Sequence, residues 1–244
     1  SYMIGVDVGG TFTDLSVFNA ERDSIFNYKL SSTPGDPSQA IVDGIQAVLE
    51  LLNIRAEEIA YLAHGTTVAT NALIEKKGSR IGIITTEGMK DLMEIGWQKR
   101  PNLYDLLRPK PVSIIPPGLK CEVPERLLSD GSIKTPLDEA ATVKVINYLK
   151  KQKVEGIAVC TLFSYLNPIH ENRIKELIKE YFPEAYVSVS HELVHEFREY
   201  SRMSTTALNA YLGPVMKKYV QHFEESVREV GVKVNPYVTQ SNGS

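Results

Sequence analysis

The sequence predicts an α/β fold, on three observations. Apolar runs of strand length recur along the chain and are separated by stretches with helical periodicity. A β-hairpin, Met3–Val8 then Phe12–Phe18 across Gly9-Gly10, stands at the start. From Val154 onward strand and helix alternate as in βαβ units, which implies parallel strands covered by helices.

The elements follow in order. After the hairpin, Ser24–Leu30 reads as a third strand, and Ser32–Pro37 as a turn into a helix. That helix, Ser38–Leu52, carries Ile41, Ile45, Val48 and Leu52 on one face. Ile59–Ala63 is a strand, followed by His64-Gly65-Thr66-Thr67 and a helix over Val68–Glu75. Arg80–Thr85 is a strand and Met89–Met93 a short helix. Trp97–Pro117 is rich in proline and reads as a long ordered loop, suited to covering a cleft, meeting a partner or packing on its own domain. Cys121–Leu127 and Ser132–Lys134 form a small hairpin across Asp130-Gly131. A helix from Leu137 to Lys151, a strand Gly156–Phe163, a helix Asn167–Tyr181 and a strand Tyr186–Ser190 follow. Tyr200–Val230 is the longest helical stretch, with a kink or junction expected at Gly213-Pro214. Lys233–Thr239 is a last strand. It leads into the turn Gln240–Ser244, where a parallel unit would feed a further helix, so a domain cut short is expected. A genuine end at an edge strand is the other reading.

Composition excludes several classes. The 244 residues are 43% hydrophobic and 23% charged, with a formal charge of -3 and a pI near 6.0. No basic footprint for nucleic acid is evident, and no apolar segment is long enough to span a bilayer. The start goes straight into a strand without a leader pattern. Cys121 and Cys160 form no CxxC pair and read as free thiols, Cys160 as a buried one. A cytoplasmic protein is expected.

Gly5-Val6-Asp7-Val8-Gly9-Gly10-Thr11-Phe12-Thr13-Asp14 is the sharpest local signal. Two adjacent glycines permit unusual dihedrals and let backbone N–H groups approach an anion. Thr11 and Thr13 add hydroxyls, and Asp7 ends the strand as a carboxylate able to hold hydrated Mg²⁺ or orient a water. Gly9, Gly10, Thr11, Phe12 and Thr13 thus read as a phosphate cradle, with Asp7 as metal-side acid. A dinucleotide fingerprint would open a helix, and a Walker A loop would carry a lysine; neither fits. A plain hairpin turn is the bland alternative.

Among other polar clusters, His64, Thr66 and Thr67 lie between a strand and a helix. His64 could donate to a phosphate or carbonyl oxygen; the alternative is helix capping by a threonine. His191-Glu192-Leu193-Val194-His195 spells H-E-x-x-H, but it follows a strand end directly, which disfavours a helical zinc site. Arg198, Glu199, Tyr200 and Arg202 read as a salt-linked surface or junction, or as a ligand or partner contact.

Several strings resemble the hydantoinase A / 5-oxoprolinase family, which includes the ATP-binding subunits of acetone and acetophenone carboxylases. They are Gly5–Asp14, Ala63–Leu73, Thr85–Gly88, Arg100–Asp105, Phe163–Glu171, Ser190–Glu192, Phe197–Tyr200 with Arg202, Ser204–Thr206, Asn209–Tyr211 and Gln240–Gly243. They cover essentially the whole chain. The resemblance implies an actin-like, ribonuclease-H-like ATPase fold of two similar halves, of which this chain holds the first with an inserted loop and small hairpin. It implies residues 1–190 as the N-terminal α/β domain and 191–244 as a helical connection with the first strand of a following, incomplete domain. It implies ATP and Mg²⁺ as cofactors, with Asp7 and His64 catalytic. Gly9–Thr13, Thr66 and Thr67 would bind nucleotide. The substrate would be a cyclic amide whose ring opens, such as a hydantoin or 5-oxoproline, or else a ketone that is carboxylated. It also implies a B-type partner subunit, with association of identical copies left open. Family chains carry a second Gly-Gly-Thr loop that these residues lack, so isolated activity is not expected. A non-catalytic folding or interaction module is a rival reading. A sugar or acetate kinase is another, which the opening loop alone permits and the Ala63–Leu73 and Phe163–Glu171 strings oppose.

Overall fold

A computed structural model describes residues 1–33, 37–97 and 113–239. The chain forms two compact units. The first is Ser1–Lys77 together with the described residues from Val215 onward; the second is Gly78–Pro214. These divisions fall elsewhere than the boundary expected at 190/191. The reason is that the chain leaves the first unit after Lys77 and returns to it along a helix.

In the first unit, β1 (Tyr2–Val8), β2 (Phe12–Asn19) and β3 (Ser24–Ser31) form an antiparallel meander. Alternate residues Ile4, Val6 and Val8 of β1, and Leu15 and Val17 of β2, are buried, as period-two patterning requires. Helix α1 (Pro37–Leu52) covers that face with Ile41, Ile45 and Val48. Gly44 lets it come close: a Cβ there would stand 2.6 Å from Leu15 Cδ1. Next, β4 (Ile59–Thr66) pairs in parallel with β1 and runs past Ala63, so His64, Gly65 and Thr66 are strand residues rather than a loop after it. Helix α2 (Val68–Ile74) closes this part.

The second unit begins with β5 (Ile81–Thr86), buried at every position. Helix α3 (Leu92–Ile95) starts later than the expected Met89. Then β6 (Lys120–Val123) pairs in parallel with β5. Only β7 (Arg126–Leu127) pairs with β8 (Ile133–Thr135), so Cys121–Val123 belongs to the main sheet and not to the small hairpin. Helix α4 (Glu139–Lys151) is capped by Asp138, whose Oδ1 accepts from Ala141 N at 2.9 Å. There follow β9 (Gly156–Cys160), α5 (Ile169–Tyr181), β10 (Tyr186–Val189) and α6 (Ser190–Leu193). The sheet order is β10-β9-β5-β6, all parallel. The uninterrupted burial of β5 and β9 is what a sheet covered on both faces requires.

Helix α7 (Glu199–Glu229) is assigned continuously through Pro214 and begins in the second unit. Past Pro214 it supplies Phe223 and Val227 to the core of the first. Finally β11 (Tyr237–Thr239) pairs in parallel with β4, completing a sheet ordered β11-β4-β1-β2-β3. The expected loop at Trp97–Pro117 falls largely outside the described residues, as do the Arg100–Asp105 string and the terminal turn. No described helix is long and apolar enough to cross a membrane.

Candidate functional site

The turn between β1 and β2 is fixed from below. Gly9 N donates to Phe12 O at 3.0 Å, and Ser32 N donates to Thr11 O at 2.9 Å. Ser32 Oγ donates to Gly9 O at 2.8 Å and lies 2.9 Å from Thr13 Oγ1. Thr13 is fully buried by the period of β2. Its hydroxyl therefore braces the loop instead of facing solvent as a donor. Gly10, Thr11 and Phe12 are exposed, and a Cβ on Gly10 would meet nothing within 4 Å. Neither glycine has a left-handed φ. Their value here is access: at Gly9 a Cβ would press to 3.1 Å from Phe12 O. Lys29 Nζ sits 5.3 Å over the Phe12 ring and 3.1 Å from Asp14 Oδ1, so Asp14 is already paired.

Asp7 is different. It is exposed at the carboxyl end of β1, and no described residue forms an ion pair with it. Its parallel neighbour in β4 is Gly65. A Cβ on Gly65 would lie 3.4 Å from Asp7 Oδ1 and 3.6 Å from Thr239 Oγ1. The missing side chain thus leaves clear space between a carboxylate and the β11 hydroxyl. One free carboxylate beside hydroxyls and open backbone is the kind of donor set that suits Mg²⁺, which keeps several waters and takes few protein ligands.

His64 does not join this group. It pairs with Val6, one residue before Asp7, and so faces the opposite side of the sheet. It is fully buried beside Tyr219 and Phe223 of α7. Nδ1 is 3.4 Å from Val6 O, and Nε2 is 2.5 Å from the Tyr219 hydroxyl. The carbonyl can only accept, so Nδ1 donates and Nε2 accepts from Tyr219. Burial pushes the imidazole pKa down to about 4, keeping it neutral. The expected catalytic place of His64 is corrected accordingly: strand period aims it into the core.

The threonines act on the backbone. Thr66 Oγ1 accepts from Val68 N at 3.2 Å, a local turn just before α2, and the N-cap residue Thr67 makes no side-chain cap bond. Thr67 Oγ1 donates to Val8 O at 3.3 Å and ties α2 to the end of β1. Ser32 and Thr239 were not singled out in the sequence; both reach the loop region by tertiary folding, and no local signal marks them.

In the second unit the two histidines of the H-E-x-x-H letters do not share one helix. Helix α6 ends at Leu193, before the exposed His195. Among the described residues no group of three His, Cys, Asp or Glu is placed to hold a metal. Arg202, read as part of a salt-linked surface or junction or of a ligand or partner contact, is fully buried. Both thiols are suppressed by burial, Cys121 to about 11 and Cys160 to about 12.

The fold and the loop define a mixed α/β chain with an exposed glycine-bearing β-turn beside an exposed carboxylate. Residues 3–182 match the hydantoinase/oxoprolinase N-terminal region, and residues 202–244 match the hydantoinase/oxoprolinase family model. The chain belongs to the hydantoinase/oxoprolinase family. It is 37% identical to caprolactamase subunit alpha of Pseudomonas jessenii, over 99% of this chain and 36% of that one. It is 33% identical to the acetophenone carboxylase gamma subunit of Aromatoleum aromaticum, over 93% of this chain and 33% of that one. With 5-oxoprolinase 1 of Arabidopsis thaliana it shares 32% identity, over 98% of this chain and 21% of that one. The crystal structure of the ATP-dependent caprolactamase superposes with a TM-score of 0.89 at 36% identity, covering 99% of this chain and 36% of that chain. A nucleotide-free acetone carboxylase structure shares the fold, with a TM-score of 0.81 at 22% identity. The chain therefore spans roughly a third or less of the length of these relatives.

Proposed function

We propose that this chain supplies one half of the ATP site of an enzyme that opens a cyclic amide. The observation that carries the reading is Asp7, exposed and with no ion pair among the described residues, beside the braced Gly9–Thr11 turn. The sheet order β3-β2-β1-β4-β11, with three antiparallel strands followed by parallel ones, fits a ribonuclease-H-like half of an actin-like ATPase. In that fold the first turn faces nucleotide phosphates. Gly9, Gly10 and Thr11 would receive phosphate oxygens through exposed backbone, and Asp7 would hold Mg²⁺ through its waters. ATP, when bound, supplies a phosphoryl group that activates the amide carbonyl. The chain's own part is to orient: Ser32 and Thr13 fix the turn, and Thr67 fixes the end of β1. The ATP-dependent caprolactamase among its relatives supports a lactam or related cyclic amide as substrate. The acetophenone carboxylase gamma subunit supports ketone carboxylation as the second reading. Both relatives are named as subunits, which supports a partner chain.

The test uses the full-length protein with its partner subunit. ATP hydrolysis is measured with a hydantoin, 5-oxoproline, a larger lactam, or a ketone plus bicarbonate. Stimulation by a cyclic amide is expected, with Asp7→Ala lowering it by about 10²-fold or more. Stimulation only by ketone plus bicarbonate selects the second reading. Full turnover by Asp7→Ala would sink the site.

A further inference from the structure

The Thr85–Gly88 string covers the carboxyl end of β5 and the turn after it, in the second unit, and the nucleotide site leaves it unused. The turn is held from several sides. Glu87 N donates to Val123 O at 3.1 Å, and Met89 N donates to Thr86 O at 3.0 Å. Glu122 Oε1 accepts from Gly88 N at 2.8 Å and from Lys90 N at 3.1 Å. Gly88 has a φ of +87°, a backbone conformation that favours glycine. Glu87 is thereby fixed beside the end of β6 and stays exposed.

Beside it stands a cavity of about 130 Å³, lined by Glu87, Pro124, Glu125, Arg126, Lys134 and Thr135. Pockets for drug-sized ligands run to roughly 300–1,000 Å³, so this one suits only a small ion or molecule. It lies beyond the carboxyl ends of β5 and β6, where parallel sheets gather ligands. The Glu125 carboxylate is already engaged. Its Oε2 lies 2.6 Å from His170 Nδ1, and its Oε1 accepts from the Thr86 hydroxyl. Thr86 Oγ1 in turn accepts from Leu162 N at 2.9 Å. These bonds fix the segment between β6 and β7.

The β7–β8 hairpin supplies the cations. Arg126 pairs with Thr135 and Leu127 with Ile133, so Lys134 is the extra residue of a β-bulge. In unbroken register Lys134 would stand opposite Leu127, whose side chain is buried. The bulge releases Lys134 from that place, and both it and Arg126 line the cavity. Among the described residues none forms an ion pair with Glu87, Arg126 or Lys134. Two cations and a carboxylate thus share one small cavity without neutralising one another. A simple anion would be opposed by Glu87, and a simple cation by Arg126 and Lys134. A molecule with a carboxylate at one end and an ammonium at the other meets both signs, with the Thr135 hydroxyl beside them.

We propose that this cavity binds a small zwitterionic amino acid from solution, its carboxylate on Arg126 and Lys134 and its ammonium on Glu87. The net product of opening a lactam has both of these ends, a carboxylate and an amine. The choice of amino acids for the test therefore rests on the cyclic-amide reading given above. The site itself belongs to the second unit alone and takes no part in the chemical step.

The test is titration calorimetry on the full-length protein with L-glutamate and with 6-aminohexanoate, the opened forms of 5-oxoproline and of a seven-membered lactam. At least one is expected to bind. Glutarate and hexanoate, which lack the amine, should bind at least about tenfold more weakly than their amino counterparts. Glu87→Gln and Lys134→Ala, both at exposed positions, should keep the parent's thermal midpoint and each weaken amino-acid binding by about fivefold or more. No binding of either amino acid, binding unchanged in both variants, or equal binding of the compounds without the amine overturns the assignment. The functional reading fails separately, if the enzyme opens no cyclic amide; amino-acid binding that the two variants weaken would still uphold the site.

Discussion

His64 has its imidazole sealed between Val6, Tyr219 and Phe223, so protonating it in the folded state is costly. Its folded pKa is about 4 against an ordinary value of 6.5. Between those values the unfolded chain binds a proton that the folded chain refuses, so this group lowers stability as pH falls from about 6.5 toward 4. The full difference is worth roughly 3 kcal/mol. Urea unfolding at pH 7.5 and at pH 4.5 should show a larger acid loss for the parent than for His64→Gln, which has no titrating ring. An equal loss in both would contradict the buried neutral assignment. The same residue shows why site reading from letters is partial. The letters of Ala63–Leu73 do not say which side chains point outward, because that depends on strand register. His64 pairs with Val6 and is hidden; Gly65 pairs with Asp7 and stays open. The hairpin turn at Gly9–Thr11 was legible because its signal is local. Ser32 and Thr239 were not, because they arrive from other strands.

At the scale of elements, local periodicity carried most of the fold. The first hairpin, α1, β5 and α4 follow their apolar spacing closely. The differences share one cause, pairing between distant segments. Cys121–Val123 looks like a hairpin arm, but its partner is β5. The apolar run after Gly156 looks like a strand to Phe163, yet β9 ends at Cys160. There Thr161 N turns to Glu171 Oε1 at 2.8 Å and Leu162 N to Thr86 Oγ1 at 2.9 Å. Pro214 gives a sharper case. It has no N–H for the carbonyl of Ala210. That carbonyl is packed on β9: a Cβ on Gly156 would stand 2.8 Å from Ala210 O. The next carbonyl, of Tyr211, accepts from Ser79 N at 2.9 Å. The proline-interrupted turn is thus used for close packing on the strand. Gly156→Ala should destabilise the protein by about 1–3 kcal/mol, since backbone must move. Gly118→Ala, whose Cβ would meet only the Tyr148 hydroxyl at 3.8 Å, is the control. Thermal unfolding of the two variants decides it; equal midpoints would remove the packing argument.

At the scale of the whole molecule, the question is how much of an ATP site one such sheet can make. On the function proposed above, the braced turn would offer phosphate contacts and Asp7 one metal-side carboxylate, all from the first unit. In an actin-like enzyme a second half closes over the nucleotide, excludes water and supplies the remaining phosphate contacts. Those contacts decide affinity, because exposed hydrogen bonds and single charges in water contribute little. The chain covers 36% of the length of caprolactamase subunit alpha. Titration calorimetry with Mg-ATP should therefore give weak binding to these 244 residues alone. The same residues carried in a chain of the relatives' full length should bind at least about 10²-fold more tightly, equivalent to about 2.7 kcal/mol. Asp7→Ala should remove most of that gain, since the closing half would then meet a turn without its metal-side acid. Equal affinity for the short and long chains would mean that the first sheet is a complete nucleotide site, and the two-half reading would have to be abandoned.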